Sequence, residues 1–169
     1  MVFFGTIASW AIELIKQFTY LAILLISFLG TSTLFIPFPL DTIISFSSFI
    51  LGLNPFLIGI FAGFGSSLGE LISYFVGLGS RTFIKEKRVN KKTSKFVLFM
   101  TNLFKKHGIV IIPLAAFIPF PFDVIGISAG IGNYDIKKFF VATLIGRVLR
   151  CMLIAYAGYK LIPFIEHLW

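Results

Sequence analysis

Histidine, cysteine and acid are scarce in this chain. Its 169 residues hold two histidines, one cysteine and seven acids. His107 and His167 stand far apart, and with Cys151 alone they make no metal set, so no metal or other cofactor is expected. Cys151 can form no internal disulfide, which leaves the redox compartment open. Ser47 and Ser48 have no histidine near them in sequence and give no nucleophile signature, so an enzyme is the least expected class. Residues 1–5 carry no basic region and no small-residue cleavage site follows, so the start reads as retained and not as a signal peptide.

What fills the chain instead is apolar. Hydrophobic residues make up 57% of it and charged ones 13%, and the mean hydropathy is +0.96. A soluble domain of this size leaves a large share of its surface in water and could not hide that much apolar area. The expectation is an all-α integral membrane protein.

The net charge of +8 is concentrated. Arg81, Lys85, Lys87, Arg88, Lys91, Lys92, Lys95, Lys105 and Lys106 fall within 26 residues against Glu86 alone. Without aromatic interleaving or a known module this does not read as a nucleic-acid surface. Between two apolar blocks it reads as a cytoplasmic loop, drawn to anionic headgroups.

Along the chain, residues 6–17 read as an interfacial helix and 18–34 as a spanning helix. Residues 35–54 are apolar but open with Pro37 and Pro39, which remove backbone donors and disfavour helix before them. Broken backbone at membrane depth needs cover from protein or a wet cavity, so this stretch reads as a re-entrant hairpin. A spanning helix is expected over 55–79, then the basic loop over 80–107 with an amphipathic surface helix from 95. A second hairpin is expected over 108–133, broken by Pro119 and Pro121, then a last spanning helix over 134–163 and a short interfacial tail.

The prolines belong to a repeat. FIPFPLD at 35–41 returns as FIPFPFD at 117–123, and 65–77 aligns with 146–158 after a one-residue gap. With the basic loop inside, the first hairpin enters from outside and the second from inside, so the units form an inverted repeat with both tips near the midplane. The plainer alternative is two proline-kinked helices left by an old duplication.

Ionisable residues within apolar segments are expensive and therefore informative. Asp41 and Asp123 follow the paired prolines at equivalent places. Glu70 lies mid-helix on a stripe with Ser66, Ser67, Ser73 and Tyr74, while Gly59, Gly63, Gly65 and Gly69 allow close backbone contact. Arg147 and Arg150 share one face of the last helix, too deep for comfortable snorkelling. Asp41, Glu70 and Asp123 are the available counter-charges, either as structural ion pairs or as proton carriers competing for arginines that bind phosphate.

With these motifs on the page, the sequence resembles the DedA superfamily, also called the SNARE-associated or VTT-domain family. The likeness runs over about 35–160. It rests on FIPFPLD, on GSSLGELISYFVGLGSR ending at Arg81, on KKHG before the second hairpin, and on AFIPFPFDVIGISAGIG. The resemblance implies two oppositely oriented re-entrant hairpins and lipid translocation, of undecaprenyl phosphate in bacterial members and phospholipids in eukaryotic relatives. It also puts Asp41 and Glu70 on the family's essential acidic positions. Many bacterial members carry arginines where Ala116 and Phe122 stand here, which suggests the YqaA-like branch and leaves Arg147 and Arg150 to supply the charge.

The function expected is a flippase-like or scramblase-like transporter of a phosphate-bearing lipid, with anionic membrane lipids as partners and a homo-oligomer permitted by the glycine-rich faces. A proton-coupled or ion-coupled small-solute transporter and a non-transporting scaffold are the alternatives.

Overall fold

The computed structural model describes residues 19–33, 39–86, 91–118 and 122–166, and its regular structure there is entirely α-helical. The expected interfacial helix at 6–17, the tail beyond 166, and Pro37, Pro119 and Pro121 lie outside the described residues. In chain order the helices are α1 (Tyr20–Ser32), α2 (Leu40–Leu51), α3 (Pro55–Glu86), α4 (Lys91–Phe117), α5 (Phe122–Ile131) and α6 (Ile136–Glu166).

Two helical stretches, Pro55–Arg81 and Ile136–Lys160, are long and apolar enough to cross a bilayer. The other apolar helices are shorter. α1 has 13 residues and α2 has 12, so at a rise of 1.5 Å each is about 20 Å long or less, against a hydrocarbon core of about 30 Å. Within the segment 18–34, expected to span, the described helix covers about two-thirds of that thickness. Pro39 immediately precedes α2, where its missing N–H leaves no ladder bond unmade.

In the basic stretch the helices reach further than expected, and the surface helix expected from 95 lies inside a longer one. Helix α3 continues to Glu86, and α4 runs unbroken from Lys91 through His107 to Phe117. Lysine and arginine are good helix formers, and no glycine or proline occurs between Lys91 and His107. Pro113 then sits inside α4 without ending it.

Close approaches fix the helix directions. A β-carbon on Gly59 would strike Met152, and one on Gly63 would strike Val148, so α3 and α6 run antiparallel. Gly65 lies on the Leu24 carbonyl and Gly69 on the Phe28 carbonyl, so α1 runs parallel to α3. Gly108 against Tyr134 and Gly146 against Pro113 make α4 parallel to α6. The short helices pack on the far partner: α2 lies chiefly along α6, and α5 along α3.

The turns into α3 and α6 share one design. Gly52 closes α2 with φ 60° and Asn133 follows α5 with φ 54°, both left-handed. Two residues later, Asn54 accepts a hydrogen bond from the Phe56 amide at 2.9 Å and Asp135 accepts one from the Lys138 amide at 2.8 Å. These are side-chain caps on the two long helices.

Two apolar cores result. One joins Ala22, Ile23 and Ile26 of α1 to Ile43 and Ile44 of α2, Ile58 and Ala62 of α3, and Cys151 and Ala155 of α6. The other joins Tyr74 of α3, Phe104 and Ile112 of α4, Phe122 and Ala129 of α5, and Phe139 and Ala142 of α6. Outside them, Leu21, Leu25 and Leu29 of α1, Phe56, Ile60 and Phe64 of α3, and Ile145, Leu149 and Leu153 of α6 form exposed stripes at helical spacing. Apolar stripes of that extent suit lipid, not water.

Candidate functional site

The polar residues of α3 and α6 fall between the two cores. On α3, Ser66, Ser67, Glu70 and Ser73 are buried between Ala62 and Tyr74; on α6, Thr143, Arg147 and Arg150 lie between Ala142 and Ala155. Both stretches are near the middle of the membrane-length segments. No water is available at that depth in a lipid-facing position, so each charge needs a protein partner.

Arg147 pairs with Glu70, its Nη2 donating to Oε1 across the α3–α6 seam. The side chains are 11% and 3% exposed, so this is a closed pair. The Arg147 guanidinium also stands 5.3 Å from the centre of the Phe122 ring, at the start of α5, which adds a cation–π attraction. Phe122 occupies one of the places where the family resemblance leads to an arginine. Positive charge therefore reaches the same neighbourhood from α6.

Arg150, one turn on, faces differently. Its Nη2 donates to Asp41 Oδ2 in the first turn of α2, and its Nη1 donates to the Ile118 carbonyl, just past the end of α4, at 3.0 Å. The Asp41 side chain is 51% exposed while that of Arg150 is 13% exposed, so this pair reaches the protein surface. One guanidinium thus ties the beginning of the first FIPFP-linked helix to the end of the helix leading into the second.

Asp123 occupies the first turn of α5, equivalent to Asp41 in α2, and lies close enough to Glu70 for their charges to interact. Both aspartates gain from the partial positive charge of a helix N-terminus. The layer therefore gathers all five residues singled out from the sequence, three carboxylates and two guanidiniums, onto α2, α3, α5 and α6. Glu70 Oε2, Arg147 Nε, Ser66 Oγ and Thr143 Oγ1 are buried there with no hydrogen-bond partner among the described residues, so within those residues the layer keeps unused donor and acceptor capacity.

Sequence reasoning missed three parts of this site. The Ile118 carbonyl has no side-chain signature, although Ile118 belongs to the repeated motif. Phe122 gives no sign of lying under a guanidinium. Thr143 is one turn before Arg147 on the same face, and that spacing was available to find it. Among the described residues no group of three or more histidine, cysteine or acidic side chains is placed to hold a metal.

The chain resembles known proteins over most of its length. Residues 36–160 match the VTT domain. Over 150 residues the chain is 33% identical to the uncharacterized membrane protein YbfM of Bacillus subtilis, covering 86% of this chain and 92% of that one. It is 25% identical over 162 residues to the uncharacterized protein MJ0201 of Methanocaldococcus jannaschii, covering 93% and 91%. Undecaprenyl phosphate transporter A of Bacillus subtilis is 27% identical over 128 residues, covering 73% and 65%. No solved structure matches. With its domain match across most of its length and a membrane-protein relative aligned nearly end to end, the chain belongs to the VTT-domain, or DedA, family of helical membrane proteins.

Proposed function

We propose that this protein moves a phosphate-bearing lipid across the bilayer by passing the headgroup through the charged layer while the tails stay in the membrane. The observation that carries the reading is the double attachment of Arg150, to Asp41 and to the Ile118 carbonyl, at the open side of that layer. A planar guanidinium takes phosphate in a bidentate manner, and a phosphate arriving at Arg150 competes with a carboxylate that the protein leaves half exposed. Arg147, closed on Glu70, is the deeper second station. Protonation of a carboxylate releases its arginine, which gives a route for coupling headgroup capture to protons.

The same reading takes α1–α2 and the end of α4 with α5 as two re-entrant arms. Their support is the short length of α1 and α2, the hydrogen bond of 3.1 Å from the Asn54 amide to the Tyr20 hydroxyl that joins the base of the first arm, and the matched turns at Gly52 and Asn133. Corresponding helices α3 and α6 run antiparallel, as inverted units require. The basic residues between the long helices then face the cytoplasm. Ala116 and Phe122 favour the YqaA-like branch and a phosphate site built from α6.

The test is reconstitution in liposomes with fluorescent phosphate-bearing lipids. Translocation should fall to background in the Arg147→Ala/Arg150→Ala double variant, and unchanged transport would remove the mechanism. Uptake of a small solute under a pH gradient without lipid movement would favour the solute-transporter alternative instead.

A further inference from the structure

Away from the charged layer, the lipid-facing seam between α3 and α6 carries a groove of about 360 Å³ lined by Pro55, Phe56, Leu149, Met152, Leu153 and Tyr156. Past Pro55, Phe56 and Tyr156 it continues into a second hollow of about 460 Å³, where Asn54 and Tyr159 join the wall. The lining therefore changes in one direction, from mostly apolar near the middle of α6 to mixed at the end of the span. From Leu149 to Tyr159 the groove follows α6 for about 15 Å at 1.5 Å per residue, half of a hydrocarbon core of about 30 Å. At the polar end the Lys160 ammonium stands 5.6 Å from the centre of the Tyr156 ring, which holds a positive charge over the groove mouth.

A counterpart exists at the other end of the same seam. Leu71, Ile136, Lys137, Phe140 and Val141 line a groove of about 430 Å³. Pro55 and Ile136 are the first residues of α3 and α6, so each groove starts where one long helix begins and ends against the flank of the other. Each also has a lysine at its membrane-edge end.

We infer that the α3–α6 seam binds an anionic phospholipid in one leaflet, its acyl chain along Phe56, Leu149, Leu153 and Tyr156 and its phosphate beside Lys160, with a second such site at Lys137 in the opposite leaflet. An acyl chain matches a hollow one leaflet long, whereas a long polyprenyl chain overruns it. The charge at the mouth selects an anionic headgroup over a zwitterionic one. This inference rests on the membrane reading but is independent of transport through the charged layer, because none of its lining residues belongs to that layer.

The experiment uses the full chain in vesicles of phosphatidylcholine and phosphatidylglycerol, with a phosphatidylglycerol probe carrying a diazirine in its acyl chain. Crosslinks mapped by peptide mass spectrometry should concentrate on 52–56 and 149–160 relative to the exposed Leu21, Leu25 and Leu29 stripe. Unlabelled phosphatidylglycerol should suppress them. Lys160→Gln should lower the preference for phosphatidylglycerol over phosphatidylcholine by about fivefold, the size expected for one basic residue at an anionic surface. Leu153→Trp, at an exposed position, should fill the groove and abolish the suppressible fraction, while Leu21→Trp should not.

Labelling equal to that of the α1 stripe, or insensitive to headgroup charge, would mean bulk solvation by lipid and overturn the inference. Displacement by polyprenyl phosphate in preference to phosphatidylglycerol would overturn its choice of occupant. The Arg147→Ala/Arg150→Ala variant should keep the labelling, so loss of transport and loss of this site are separable.

Discussion

The two ion pairs should differ sharply in what it costs to remove one partner. In Arg147→Met, Glu70 stays in place at 3% exposure with its charge unanswered. Breaking a buried pair in this way costs about 3–5 kcal/mol, because the remaining ion keeps its desolvation penalty and loses its compensation. In Arg150→Met the stranded carboxylate is Asp41, 51% exposed and therefore far less desolvated by the protein than Glu70, and it keeps its place at the α2 N-terminus; the loss there should be about 0–1 kcal/mol. Carried over to a chain of this length, the first change lowers the unfolding midpoint by roughly 10 °C and the second by about 4 °C or less. The chain supplies its own reporter, since Cys151 is the single cysteine and is buried. A thiol-reactive fluorogenic dye followed during heating in detergent micelles therefore reads exposure of the first core directly. Adding Glu70→Gln to Arg147→Met should recover most of the lost midpoint, because an amide is far cheaper to leave in that place than a carboxylate. Equal midpoints for the two single arginine variants, or no recovery in the double variant, would refute the division into a closed structural pair and an open exchangeable one.

Other consequences can be checked in parallel. Asp41→Asn should increase binding of a phosphate-bearing lipid, read by native mass spectrometry, because Arg150 loses a charged competitor while keeping the Ile118 carbonyl. Asn54→Ala and Asp135→Ala should each destabilise the fold by about 1 kcal/mol through loss of a helix cap, measured with the same thiol dye. Tyr74→Phe removes the hydrogen bond that its hydroxyl donates to the Tyr134 carbonyl and should cost about 1 kcal/mol by the same assay. Gly63→Leu should push α3 off Val148 and lower the folded yield sharply, whereas Gly79→Leu, which meets nothing within 4 Å, should not.

Much of the site was legible because the chain states it twice. The FIPFP repeat puts Asp41 and Asp123 in equivalent places, and a three-residue spacing puts Arg147 and Arg150 on neighbouring parts of one face. Long-range choice was not legible. Nothing in the sequence says that Asp41 takes Arg150 and Glu70 takes Arg147, pairs separated by 109 and 77 residues. The direction of each short helix is likewise a matter of packing, fixed by which glycine meets which backbone. In the basic stretch only the extent of the helix was not legible: the amphipathic helix expected from 95 lies inside a longer one that starts at Lys91, among good helix formers with no breaker until Gly108.

The crossed lodging of the short helices bears on how the molecule is made. Helix α2 emerges from the ribosome well before α6, the neighbour along which it chiefly lies, and α5 likewise leans on a helix from the first half. An early intermediate therefore carries Asp41 into the membrane with its future arginine not yet synthesised. Biogenesis must hold such an arm at the rim of the insertion machinery, or let it wait in the interfacial zone, until the last long helix arrives. Halves produced separately should consequently be poor substrates for quality control to approve, and should mature only when both are present together.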